Sequence, residues 1–176
     1  MFDFVYDYCN LTKPNDSDIS FFENKYNEAR KNFWNFDVVK FANSLGIKVF
    51  MDENLKEEGC IEYDREYNTY SITINAKQPK NRIIFTIAHE IAHFVCDKAL
   101  IQEQRVFREV GNRGMPEERR KIEVRANKMA ADILMPSEKF IELWNSGDSV
   151  KDLSKKFCVS EDAVKIRLSY LLGVVL

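Results

Sequence analysis

The chain has 176 residues, 45% hydrophobic and 31% charged, with a formal net charge of −2. That composition suits one compact domain with a real core, and the near-neutral balance excludes the global basic field of a general nucleic-acid binder. No apolar run approaches the roughly 20 residues that span a bilayer, and Met1–Tyr8 lacks the basic start and sustained apolar stretch of an export signal. A cytosolic protein is expected, with Cys9, Cys60, Cys96 and Cys158, which form no CxxC pair, as reduced thiols.

In chain order, Ser17 or Asp18 caps a helix running through Phe21, Tyr26 and Ala29. A second helix runs from Asp37 to Leu45 and is stopped by Gly46 in the usual C-terminal position. Ile47–Met51 reads as a short strand, and Ile61 begins another that reaches the polar turn at Asp64–Asn68. Thr69–Asn75 alternates side chains and is rich in β-branched residues, so it closes a hairpin as a strand. Pro79 and Asn81 open a strongly apolar helix, Ile83–Val95. A further helix is expected over Ala99–Val110, broken by Gly111, Gly114 and Pro116. A long helix then carries Ile122, Ala126, Met129, Ala130, Ile133 and Leu134 on one side, ending at Met135-Pro136. The order of helices, sheet and helices predicts an α+β domain over residues 1–136, with a small helical segment, 137–176, packed on it.

His89 and His93 are the only two histidines, and they lie four residues apart in a helical segment. That spacing brings them to one face about 6 Å apart along the axis, where both imidazoles can reach one tetrahedral Zn²⁺. Glu90 is offset around the helix, which suits a general base that approaches water without binding the metal. Two histidines do not hold a catalytic zinc, so a third ligand is needed. Asp97 lies one turn further on, and a bond from Cys96 would strain the helix. The long helix offers Glu117, Glu118, Glu123 and Asp132. Glu123 is the best placed because it begins the apolar part of that helix. Asn127, four residues on, shares its face and can orient a histidine ligand from behind.

The run Arg82-Ile-Ile-Phe-Thr-Ile-Ala-His-Glu-Ile-Ala-His93, followed by Glu123-Val-Arg-Ala-Asn-Lys-Met-Ala-Ala-Asp-Ile-Leu-Met-Pro136, resembles the ImmA/IrrE family of metallo-endopeptidases. The resemblance implies a zincin-like core whose small, mostly antiparallel sheet packs on the active-site helix. It also implies zinc ligands at His89, His93 and Glu123, with Glu90 as catalytic base; the sequence leaves manganese open as the alternative ion. Two departures stand out: Asp97 where many relatives have a third histidine, and Arg125 where a second acid is usual. The strand Tyr70–Asn75 is similar to the edge strand on which zinc peptidases lay an extended substrate, which would present Ser71, Thr73 and Asn75.

Ser149–Leu168 reads as helix, tight turn, helix, with Ser160 capping the second helix. Lys151, Lys155, Lys156, Lys165 and Arg167 are offset by Asp152, Glu161 and Asp162, so a packing or substrate-docking role outranks DNA binding. The basic run Arg119-Arg120-Lys121, interleaved with glutamates, reads as a solvated helix face. The leading expectation is a zinc endopeptidase that cleaves a regulatory protein, which the resemblance makes a helix-turn-helix repressor of the Xre/Cro type, in control of a mobile element or a stress response. The competing reading is a metal-binding transcriptional regulator or toxin–antitoxin component without proteolytic activity.

Overall fold

A computed structural model describes residues 16–104, 106–108 and 116–173. The readings made for Cys9, Gly111 and Gly114 lie outside the described residues. Helix α1 spans Asp16–Arg30 and α2 spans Val38–Ser44, followed by strands β1 (Ile47–Asp52), β2 (Gly59–Asp64) and β3 (Thr69–Asn75). Helices α3 (Lys80–Cys96) and α4 (Lys98–Gln104), strand β4 (Val106–Arg108) and the long helix α5 (Glu117–Leu134) come next. Helices α6 (Ser137–Asn145), α7 (Val150–Phe157) and α8 (Glu161–Leu172) complete an α+β architecture.

Local chemistry sets the boundaries. Asp37 accepts hydrogen bonds from the Val39 and Lys40 amides at the start of α2, and Gly46 follows that helix with φ +82°, a conformation costly for a residue with a Cβ. Ser149 and Asp152 close a capping box on α7, and Ser160 caps α8 by accepting from the Ala163 amide. The expected helix over Ala99–Val110 is cut short: α4 ends at Gln104, and Val106–Arg108 pairs antiparallel with β2. Two β-branched or aromatic residues in that stretch favour the sheet once β2 offers an open edge.

The sheet order is β1-β3-β2-β4. β3 pairs in parallel with β1, Ile47 opposite Tyr70, and antiparallel with β2, Tyr63 opposite Tyr70. Alternation along β3 sends Tyr70, Ile72 and Ile74 into the core and leaves Ser71, Thr73 and Asn75 on the other, half-exposed face. This overturns the edge-strand expectation for Ser71, Thr73 and Asn75. Both sides of the β3 backbone are already committed to neighbouring strands, so it has no free edge to offer a peptide. Asn75 instead closes a turn: its Nδ2 donates to the Leu55 carbonyl, and its Oδ1 accepts from the Lys77 amide.

The buried face of the sheet lies against α3, whose Ile87, Ala88, Ile91, Ala92 and Val95 are all buried. Gly59 makes this approach possible. A Cβ there would fall 2.6 Å from Thr86 Cγ2 and 3.0 Å from Ile74 Cδ1. On the other side α3 meets α5, which buries Ala126, Met129 and Ala130, and Cys96 of α3 lies against Met129.

The C-terminal end of α5 is held from two directions. Tyr26 Oη on α1 donates to the Asp132 and Ile133 carbonyls at 3.3 and 3.2 Å, and Arg30 donates to those of Ile133 and Leu134. From α8, the buried Arg167 pairs with Asp132 and donates to the Met135 carbonyl (2.9 Å) and Ser137 Oγ (2.8 Å). These donors satisfy carbonyls that a helix end leaves without partners. They also settle where two residues go: Asp132 is spent on Arg167, and Arg167 is 2% exposed and unavailable to a phosphate backbone.

Candidate metal centre

His89 and His93 project from one face of α3, and Glu123 enters from α5. All three are buried, at 3%, 1% and 5% exposure. The two Nε2 atoms are 2.9 Å apart, and Glu123 Oε2 lies 3.2 Å from that of His89 and 3.4 Å from that of His93. Ligands at 2.0–2.1 Å around a tetrahedral zinc ion would stand roughly 3.3 Å from one another. The triangle therefore has nearly the size of one face of a zinc coordination shell.

The outer nitrogens explain why the inner ones converge. Nδ1 of His93 donates to Asp97 Oδ2 at 2.9 Å, and Nδ1 of His89 to Asn127 Oδ1 at 3.0 Å. With each Nδ1–H so engaged, a neutral imidazole has only a lone pair at Nε2. Two lone pairs facing each other at 2.9 Å beside a carboxylate oxygen repel unless a cation lies between them. Only a proton or a metal ion fits, and the donor set of two imidazoles and one carboxylate suits zinc. Among the described residues, His89, His93 and Glu123 form the group able to hold an ion in this way.

The electrostatics agree. Burial alone would lower the pKa of His93, but hydrogen bonds to Asp97 and Glu123, with the nearby Glu90 charge, carry it up to about 9. Burial alone would raise that of Glu123, yet the two imidazoles hold it well below the usual carboxylate range. The site thus attracts positive charge before any metal arrives.

Glu90 is 1% exposed and points to the sheet side of α3, where a Cβ on Gly59 would sit 3.4 Å from its Oε1. Asn127 occupies the expected place behind His89. The other ligand candidates disperse: Cys96 donates its thiol toward Met129 Sδ at 3.6 Å, and Glu117 pairs with Lys121 at 3.2 Å on the surface.

Three residues were not assigned these roles from sequence. Arg119, read as part of a solvated face, is half-buried and its Nε bonds Glu123 Oε1 at 3.1 Å, which leaves Oε2 to face the histidines. The i,i+4 spacing to Glu123 was the available signal. Asp97 is 1% exposed and serves Nδ1 of His93, and Arg125 reaches across from α5 to pair with it. Beside the site, a groove of about 710 Å³ runs between the start of α3, α5 and α8, and it is lined by Phe85, Ala131, Ile166 and Tyr170 and reaches Asn127.

Comparison with known proteins agrees with this arrangement. Among solved structures, a Mycobacterium tuberculosis transcriptional regulator superposes with a TM-score of 0.57 at 18% identity, over 96% of this chain and 52% of that one. The likeness is one of fold, and the chain spans about half the length of that protein. No curated protein matches the sequence significantly. The IrrE N-terminal-like domain, a peptidase family, matches residues 42–169, which include α3, α5 and most of α8. With that match over most of its length and a buried His-His-Glu group where the two motifs meet, the chain belongs to the IrrE N-terminal-like family of peptidase domains.

Proposed function

We propose that this chain is a zinc-dependent endopeptidase acting on a regulatory protein. The convergence of the two Nε2 atoms and Glu123 Oε2 within 3.4 Å, with both Nδ1 atoms already engaged, carries the reading. His89, His93 and Glu123 would hold the ion, and manganese is the alternative to zinc. Zinc in such a site supplies a Lewis acid that brings the pKa of water to about 7 and polarises a peptide carbonyl. Glu90, adjacent to the first ligand and buried against the sheet, takes the proton of the attacking water at its carboxylate and passes it to the leaving amine. Arg119 Nε bonds Glu123 Oε1, so Oε2 is the oxygen that Glu123 would offer the ion.

The substrate proposed is a helix-turn-helix repressor of the Xre/Cro type, and the compartment the cytosol. Membership of a peptidase family supports a protein substrate, and a fold shared with a transcriptional regulator fits a regulatory setting. Among the described residues no helix is long and apolar enough to cross a membrane. The competing reading, a regulator that binds DNA without proteolysis, loses support because Arg167 is buried in the clamp on α5.

Co-expression with helix-turn-helix repressors of the same genome tests the proposal. Wild type should shorten the repressor to a discrete product, and Glu90→Gln should slow this about 10²–10⁴-fold while keeping its zinc. Full cleavage by a zinc-loaded Glu90→Gln variant would refute the assigned mechanism.

A further inference from the structure

Asp97 and Arg125, the two positions that the resemblance marks as departures, meet in space. Asp97 lies one turn beyond His93 on α3, and its two oxygens have different tasks: Oδ2 accepts from Nδ1 of His93 at 2.9 Å, while Oδ1 is paired with Nη2 of Arg125. Both residues are buried, at 1% and 6% exposure.

A buried carboxylate with no countercharge is costly, and so is a buried guanidinium. Each residue therefore makes the other tolerable. Of the donors of Arg125, Nη2 is the one paired with Asp97, while Nε and Nη1 have no hydrogen-bond partner among the described residues. Leaving such donors buried opposes stability. What the pair secures is the orientation of His93. A carboxylate can only accept, so Nδ1 must carry the hydrogen and Nε2 must present its lone pair to the metal position.

We propose that Arg125 is a positioning residue for the metal centre, acting through Asp97 to fix the tautomer and tilt of His93. The inference rests on the metal-centre reading above. It assigns the two departures to a single device, so that neither residue functions alone. Arg125 contributes no ligand atom; it anchors the anchor.

The test measures metal affinity without any substrate, by competition of zinc against a chelator, together with the visible absorption of the cobalt-substituted protein. Arg125→Met and Asp97→Asn should each weaken zinc binding about 10–100-fold, and each should shift the cobalt bands. The double variant should be no weaker than the worse single variant, because both remove one device. Arg125→Lys keeps the charge and should restore affinity to within about threefold of wild type. Unfolding in EDTA separates these effects from loss of fold, and the double variant, with no buried charge left unpaired, provides a folded reference if Arg125→Met alone is unstable.

Zinc affinity and cobalt spectrum indifferent to Arg125→Met would overturn the inference and leave the metal centre standing. Losses that multiply in the double variant would also overturn it, since the residues would then act independently. Wild type that takes up neither zinc nor cobalt would refute the metal centre itself, and the inference with it.

Discussion

On the proposed metal centre, a proton should occupy, in the EDTA-treated protein, the place between the imidazoles that the ion would take. Burial would lower the pKa of His93, but its bonds to Asp97 and Glu123 raise it from 6.5 to about 9. At about 1.4 kcal/mol per unit, the difference amounts to about 3 kcal/mol of folding stability. Because the folded state binds this proton more tightly than the unfolded chain, the stabilisation is complete below about pH 6.5. It is lost as the pH rises through about 9. For a chain of this size each kcal/mol is worth about 2–4 °C, so the metal-free Tm should fall by about 6–12 °C across that window. Zinc reverses the trend, since binding releases the proton. Its apparent association constant should rise about tenfold per pH unit between about pH 7 and 9 and then level off. Calorimetry of the metal-free and zinc-loaded forms, with chelator competition at each pH, reads both slopes. A metal-free Tm that is flat from pH 6.5 to 9, with a pH-independent zinc affinity, would refute the picture of two lone pairs bridged by a proton.

Three substitutions probe the supports of the site. Gly59→Ala would drive a methyl group to 2.6 Å from Thr86 Cγ2 and 3.4 Å from Glu90 Oε1. It should cost about 1–3 kcal/mol in urea unfolding and lower kcat with zinc content unchanged, whereas a stabilised, fully active variant would contradict the close helix–sheet contact. Asn127→Ala removes the acceptor of the His89 Nδ1 hydrogen and should weaken zinc about 10–100-fold; unchanged affinity in chelator competition would count against its role. Arg167→Met leaves Asp132 buried without its cation and should cost about 3–5 kcal/mol in denaturant unfolding, a loss that a surface arginine would not produce.

The parts of the fold that were legible in the sequence are those set by local chemistry. Alternation marked β3, Gly46 stopped α2, and Ser160 capped α8, because each signal acts over a few residues. The convergence of His89, His93 and Glu123 was legible because two histidines at helical spacing call for a third ligand and the apolar face of α5 starts at Glu123. What escaped depended on contacts distant in sequence. The parallel pairing of β1 with β3 makes β3 an interior strand, and nothing in the hairpin composition announces it. The three residues of β4 extend only because β2 has an edge to fill. Arg125 sits two positions from Glu123, off its face by helical spacing, and the length of its side chain carries it back to Asp97.

These long-range contacts share one carrier. Helix α5 supplies Glu123 as a ligand candidate, Asn127 behind His89, and Arg125 behind Asp97 and hence His93. It thereby governs the outer nitrogen of both imidazoles, although neither histidine belongs to it. A small sliding of α5 along α3 would loosen all three supports together. Its C-terminal end is fixed by Tyr26 and Arg30 from α1 and by Arg167 from α8. A site built on packed helices in this way is held more tightly than one built on loops. The helical C-terminal segment, for which a packing or substrate-docking role was expected ahead of DNA binding, contributes Arg167 to that hold on α5, the helix that carries Glu123 and Asn127.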